Sequence, residues 1–186
     1  MGKGGTSYLK ALGDPKDESA ASIDLGGLQE AEDYFQSVLN AGSLPESMNI
    51  PPKVHFNLGQ IYLVRGQVQD PQWLETAQAE FNQVLSKYKS GVERIQEMAS
   101  QAYARSALIY RLQGNPEAAI EYYDEAIASA SPYYKALYMS RKAEVYVDQG
   151  QVKQAIAALE EAIREAEFYA YPELVTQFNS RINELR

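Results

Sequence analysis

The residues equipped to do chemistry are few. His55 is the single histidine, and the chain has no cysteine. A thiolate or multi-histidine metal site cannot be assembled, nor a Cys–His nucleophilic pair or a disulfide. A lone histidine at a regularly spaced apolar position reads as a packed core residue. The carboxylate pairs Asp124-Glu125 and Glu160-Glu161 are adjacent in sequence. Adjacent residues of a helix point in different directions, so these pairs do not face each other as a general acid and base must, and they read as solvated surface. Gly2-Lys3-Gly4 lacks the Ser or Thr that follows the lysine of a phosphate loop. Met1-Gly2 with Thr6 fits the short N-myristoylation pattern, but no basic cluster backs it, and a Gly-rich start reads more simply as an unstructured terminus. No catalytic constellation emerges, so the chain is expected to be no enzyme and to hold no cofactor or metal. Binding is the class that remains.

The bulk properties narrow what is bound. The 186 residues suffice for one domain with a real core. The net charge is −8, of which residues 1–50 carry −5, from three Lys against eight Asp and Glu, and the remainder carries −3. Nucleic-acid binding needs clustered Lys and Arg against phosphates, and no such cluster exists. No apolar run approaches a membrane span or a signal-peptide core. The expectation is a soluble, cytoplasmic protein that meets neither nucleic acid nor membrane.

The elements that must position any binding residues are short helices in a repeating order. From Tyr103 to Pro132 the chain reads as two helices with a tight break. Tyr103, Ala107 and Tyr110 share a face, Gly114 stops the first helix, and Asn115-Pro116 open the second as N-cap and first position. Ala119, Tyr123, Ala126 and Ile127 give the second helix its apolar stripe. Met139, Ala143 and Tyr146, then Gly150, then Ala155, Leu159, Ala162 and Ile163 repeat this downstream. Upstream it recurs as His55, Leu58, Gly59 and Tyr62, then Gly66, then Ala77, Phe81, Val84 and Leu85. A small residue, Gly59, Ala107 or Ala143, stands three before each tyrosine and lets the paired helices approach closely. The interval from Tyr62 to Ala77 is six residues longer than its counterparts. It is read as an extra loop at Gln67–Asp70, with Asp70-Pro71 opening the next helix and Trp73 packing against that loop.

Around this core, residues 1–27 read as a flexible or partly helical segment, with Ser7–Leu12 the remnant of a helix and Gly13–Gly27 a loop. Residues 28–50 read as a half-repeat and linker, its helix at Leu28–Ala41 turning Ala31, Phe35, Val38 and Leu39 inward. Val92–Gln113 reads as one long helix. The last helix, opened by Pro172, carries Val175, Phe178, Ile182 and Leu185 on one side and charge on the other, as a helix closing the end of a stack would. Phe178 and Ile182 are expected to cover Ala155, Leu159 and Ile163. Tyr133, Tyr134, Tyr169 and Tyr171 flank helix ends and read as packing residues, with a partner surface the competing reading.

This spacing resembles the tetratricopeptide repeat, whose pattern W-x2-L-G-x2-Y…A-x3-F…P appears in three copies over residues 51–168, with His55, Tyr103 and Met139 in place of the first aromatic. The resemblance implies an all-α, right-handed solenoid of helical hairpins, with residues 171–186 as its capping helix. It implies a non-enzymatic interaction module (scaffold, adaptor or assembly factor) that holds a peptide or partner helix in a concave groove lined by the first helix of each repeat. A self-associating subunit, or a regulatory domain of a larger protein, is the alternative, and the oligomeric state is left open. By the family's pattern the groove residues are Asn57, Arg105 and Arg141, one per repeat, joined by Gln60, Leu108 and Glu144 a turn later and by Arg111 and Asp148 beyond. Arg105 and Arg141 point to an acidic segment or a C-terminus as partner, with Glu144 placed to neutralise Arg141. Members that clamp a C-terminal carboxylate use two Lys, two Asn and one Arg. Asn57 and Arg105 match two of these, Gln101 stands where one Lys belongs, and the helix for the first pair is missing.

Overall fold

The computed structural model describes residues 24–41, 50–89, 91 and 95–186. The expected helix remnant at Ser7–Leu12, the loop up to residue 23 and the linker at 42–49 lie outside the described residues. Among the described residues there are eight helices and no strand: α1 Leu25–Asn40, α2 Ile50–Val68, α3 Trp73–Lys89, α4 Gln96–Leu112, α5 Pro116–Ser129, α6 Pro132–Asp148, α7 Val152–Phe168 and α8 Pro172–Leu185. The chain divides into two compact units, residues 1–87 and 88–186.

In the first unit, α1 begins three residues before the expected Leu28. The Asp24 carboxylate accepts the Gly27 N–H at 3.1 Å, which satisfies one orphan donor of the first turn and carries Gly26 and Gly27 into the helix. Leu28, Ala31 and Phe35 form its buried stripe, whereas Val38 and Leu39 are only half-buried. A polar network seals α1 to α2. Arg65, only 7% exposed, places Nη1 2.8 Å from Glu32 Oε2 and donates from Nη2 to Gln29 Oε1 at 2.8 Å. The Tyr62 hydroxyl donates to Glu32 Oε1 at 2.9 Å and accepts from Gln36 at 3.4 Å. A charge so deeply buried is tolerable only when paired and hydrogen-bonded, as this one is.

The α2–α3 hairpin departs from the sequence reading at Gly66. Gly66 does not stop its helix, and α2 continues to Val68. The residue is glycine for space. A Cβ there would meet the Leu74 side chain, with Cγ 2.7 Å away and the Leu74 backbone nitrogen 3.1 Å away. Gly59 does the same for Phe81, whose ring carbons would lie 2.7–2.9 Å from an added Cβ. The six extra residues are therefore mostly helix, closed by a tight turn in which Asp70 Oδ1 accepts the Gln72 N–H at 2.9 Å. Trp73 packs on α2 rather than on a loop. Its ring stacks on Tyr62 at 5.4 Å and 7°, and the Arg65 guanidinium lies over it at 5.1 Å.

The second unit holds the hairpins α4–α5 and α6–α7, followed by α8. Residues 92–94 lie outside the described residues, and the long helix expected from Val92 is described from Gln96. Three of its helices end in the same Schellman geometry. After α4, Gly114 (φ 73°) donates to Arg111 C=O and Asn115 to Tyr110 C=O. After α6, Gly150 (φ 70°) donates to Val147 C=O and Gln151 to Tyr146 C=O. After α7, Ala170 (φ 58°) donates to Glu167 C=O and Tyr171 to Ala166 C=O. Asn115 caps α5 as expected, accepting the Ala118 N–H at 3.2 Å. Leu159, Ala162 and Ala166 of α7 and Leu174, Phe178 and Ile182 of α8 share one buried cluster with Ala136 and Ala143 of α6, with Ile163 packed against it. The capping helix thus covers the flank assigned to it, apart from Ala155, which is buried outside this cluster. Burying a side chain the size of Phe178 is worth about 2–3 kcal/mol.

Candidate functional site

The expected binding residues fall on three helices. Asn57 and Gln60 lie on α2 of the first unit, both half-buried. His55 on the same helix is half-buried, not enclosed, and its Nδ1 lies 2.7 Å from Glu80 Oε2 on α3. It is a hairpin contact, in keeping with a structural role.

In the second unit, Arg105, Leu108 and Arg111 lie on α4, and Arg141 and Glu144 lie on α6. The charges of Arg141, Arg111 and Arg105 all act on one group, the phenol of Tyr123 on α5. Burial pushes the Tyr123 phenol up from its ordinary value, while Arg141, Arg111 and Arg105 pull it back. Tyr138 on α6 is pushed up likewise by burial, with its hydrogen bond with Ser100 and the charge of Arg105 opposing. Arg105 contributes to the electrostatics of both Tyr123 and Tyr138, and Arg141 to those of Tyr123.

Two of the expected residues are already committed. The Arg111 guanidinium forks the Asp148 carboxylate, with Nη2 donating to Oδ1 at 3.1 Å and Nε to Oδ2. That hydrogen bond raises the Arg111 pKa and outweighs its partial burial. Glu144 accepts both Nε and Nη2 of Arg181 on α8, each at 2.8 Å. The carboxylate expected to neutralise Arg141 thus accepts both contacts of Arg181, and Glu144 is a structural link from α6 to α8. Arg181 also donates to Glu184 at 2.8 Å, and these carboxylates push its pKa up. Each link spans 37 residues, one more than the 36 from Gly114 to Gly150. The pairs form a ladder between successive first helices α4, α6 and α8, and opposite charges one repeat plus one residue apart are the signal that finds them. Arg141 is exposed but engaged. Arg105 is exposed and makes no ion pair among the described residues.

Among the described residues no cluster of His, Asp or Glu is placed to hold a metal ion, and no helix is long and apolar enough to cross a membrane.

The model of the tetratricopeptide repeat family matches residues 98–167, which span the hairpins α4–α5 and α6–α7. No curated protein sequence matches the chain significantly. Among solved structures, a thermophilic TPR protein of Thermus thermophilus is similar at a TM-score of 0.60 and 18% identity, over 84% of this chain and 73% of that one. The TPR-like repeats of a Podosopora anserina putative kinesin light chain align at a TM-score of 0.58 and 15% identity, over 86% of this chain and 87% of that one. The MamA protein aligns at a TM-score of 0.53 and 18% identity, over 100% of this chain and 93% of that one. At such identities the likeness is one of fold. Residues 98–167 of this chain match the tetratricopeptide repeat, and the fold is all-α, built of helical hairpins.

Proposed function

We propose that the protein is a non-enzymatic interaction module, and that the α4–α6 face of its second unit receives an acidic segment or the free C-terminus of a partner protein. The observation that carries this reading is Arg105, an exposed cation of α4 without an ion pair among the described residues, on a chain whose net charge is −8. Bulk composition does not account for an exposed arginine without an ion pair on an acidic protein. A guanidinium presents two parallel donors that fit a carboxylate, and Lys does not reproduce that geometry. Leu108, half-buried one turn from Arg105, offers an apolar contact beside it. Arg111 and Glu144 support the face through the ion-pair ladder rather than by touching the ligand. Asn57 and Gln60 belong to the first unit, and Asn57→Asp tests their part separately.

The test uses a fluorescein-labelled Glu/Asp-rich octapeptide with a free C-terminus, and the same peptide amidated. Binding is expected to weaken about tenfold or more in Arg105→Glu with Arg141→Glu, since charge-assisted contacts are lost and replaced by repulsion. The helical signal should be retained. Unaltered affinity in the double variant refutes the reading. The alternative of a self-associating subunit has less support at the C-terminal end, where α8 turns exposed Gln177, Ser180, Asn183 and Glu184 outward.

A further inference from the structure

A second surface of the same unit has a different chemistry. Six aromatic rings run in contact from the interior to solvent at the corner where α7 meets α8. Tyr138, buried on α6, stacks with Tyr134 at 5.9 Å, and Tyr134 meets Tyr133 at 5.7 Å. Tyr133 meets Tyr171 edge-on at 5.2 Å, Tyr171 stacks with Tyr169 at 6.5 Å, and Tyr169 meets Phe168 at 4.9 Å. The outer members are open to water: Phe168 is 80% exposed, Tyr169 43% and Tyr133 37%. Single exposed apolar residues are ordinary, but a contiguous run of rings marks an interaction surface. Packing explains the inner rings and leaves Phe168 and Tyr169 without a role. A cavity of about 400 Å3 opens beside Tyr169, lined by Ile127, Ala130 and Pro132 and by the Lys135–Glu165 ion pair.

The electrostatics of this corner select a cation. The last turn of α7 contains no basic residue; its Glu165, Ala166 and Glu167 carbonyls accept the N–H groups of Tyr169, Tyr171 and Ala170, and the negative end of the helix dipole lies there. Glu167 is exposed in that turn, and Glu173 is exposed in the first turn of α8. Neither makes an ion pair among the described residues. A carboxylate at a helix C-terminus opposes the macrodipole and destabilises its own helix, and a bound cation reverses that effect. The ring faces are the negative poles of the aromatic quadrupoles. The negative end of the α7 dipole, the Glu167 and Glu173 carboxylates and the ring faces favour positive charge, against the positive N-terminal end of α8, while Lys135 is already paired with Glu165. Arginine fits better than lysine, because its planar guanidinium stacks on a tyrosine while forking a carboxylate. The chain makes the same combination internally, where Arg65 lies over Trp73 and pairs with Glu32.

We infer that the α7–α8 corner is a docking surface for an arginine-containing basic segment of a partner protein, which lays a guanidinium over Tyr169 and Phe168 against Glu167. The surface uses none of the residues of the Arg105 face, so the two readings stand or fall separately. The test measures binding of fluorescein-labelled Gly-Arg-Gly-Arg-Gly-Arg-Gly to the full chain at physiological salt, beside the Lys and Glu counterparts of that peptide. The expected order is Arg tighter than Lys by several fold, with no binding of Glu. Phe168→Ser with Tyr169→Ser, and separately Glu167→Lys, should each weaken the Arg peptide about tenfold. Glu121→Lys, an equal change of net charge on an exposed position of α5, should alter it less than twofold. Glu167→Lys favours the α7 terminus, so retained folding should show as a melting temperature no lower than the parent's. Four results overturn the inference: no binding of the Arg peptide; equal losses in Glu167→Lys and Glu121→Lys, which would mean diffuse attraction; equal capture of a Pro-rich neutral peptide regardless of residue 167; or a dimer in sedimentation equilibrium that Phe168→Ser dissociates, which would make the ridge a self-interface.

Discussion

Replacing Ala170 by Gly should stabilise the protein, whereas replacing Gly114 or Gly150 by Ala should destabilise it by a similar amount. All three positions are the left-handed residue of an identical helix stop, with φ of 58°, 73° and 70°. An L-residue with a Cβ in that conformation costs about 1–2 kcal/mol. Glycine offsets part of its advantage by gaining freedom in the unfolded chain, about 0.4–1 kcal/mol. The net is about 0.5–1 kcal/mol in favour of Gly at each site. Nothing lies within 4 Å of a Cβ built at Gly114 or Gly150, so no clash adds to the penalty and the effect is conformational alone. Asn tolerates the left-handed region better than Ala. Gly114→Asn should therefore cost less than Gly114→Ala, an ordering that steric crowding would not produce. In a chain of this length about 1 kcal/mol moves the melting temperature by about 2–4 °C. The assay is urea unfolding followed by helical circular dichroism, with the midpoint shifting and the slope unchanged. Ala170→Gly that lowers stability, or Gly114→Asn as costly as Gly114→Ala, refutes the reasoning. Either result would mean that the flanking contacts, not the backbone conformation, hold these stops.

Gly66→Ala should destabilise the first unit by about 1–3 kcal/mol despite alanine's better helix propensity, because its Cβ meets Leu74; Leu74→Ala on the same background should make the two losses less than additive. Burial pushes the phenols of Tyr62 and Tyr122 up to about 12 from an ordinary value of 10.0. The folded state therefore holds these protons more tightly than the unfolded one, and this contribution to stability is full below about pH 10 and lost as pH rises toward about 12. Absorbance titration of the tyrosinate band should show a late-ionising fraction that disappears in urea. Removing residues 172–186 uncovers Leu159, Ala162 and Ala166, so the truncated chain should aggregate or melt lower. A truncated chain as soluble and stable as the parent would show that α8 caps nothing.

The hairpins of the second unit were legible because local chemistry and repeat period agree there. Gly114-Asn115-Pro116 carries a left-handed stop, a cap and a helix-starting proline in three consecutive residues. Gly66 occupies the same place relative to its tyrosine, yet no cap-and-proline pair directly follows it. Its helix runs on, and the glycine serves Leu74 instead. A glycine in a pattern does not reveal whether it is needed for φ or for space: Gly150 stops its helix although Gln151-Val152 supply no cap-and-proline pair either. The six-residue excess before Ala77 was the available warning, since an extra helical turn absorbs it as readily as a loop does. Ala170 illustrates the converse: the same stop forms without glycine, and no residue type announced it.

The charges of the candidate site obey a longer-range rule than local spacing supplies. Reading along one helix, Glu144 is the natural partner of Arg141, three residues away. In the fold, the closer geometry comes from the next first helix, where Arg181 presents two of its nitrogens to both oxygens of Glu144. A pair three residues apart on an exposed helix is worth only about 0.2–0.5 kcal/mol and is easily outcompeted by a bidentate contact between helices. The same competition claims Arg111 for Asp148. Arg111 and Glu144 of the expected binding set are thus already engaged in ion pairs along the ladder. Arg105 is left as the cation of α4 on which a partner's carboxylate can act without first displacing an ion pair among the described residues. Its substitution to Glu should therefore reduce capture of an acidic peptide more than the same change at Arg111. The Arg111 variant, by contrast, should lose stability, because it leaves Asp148 facing a new carboxylate.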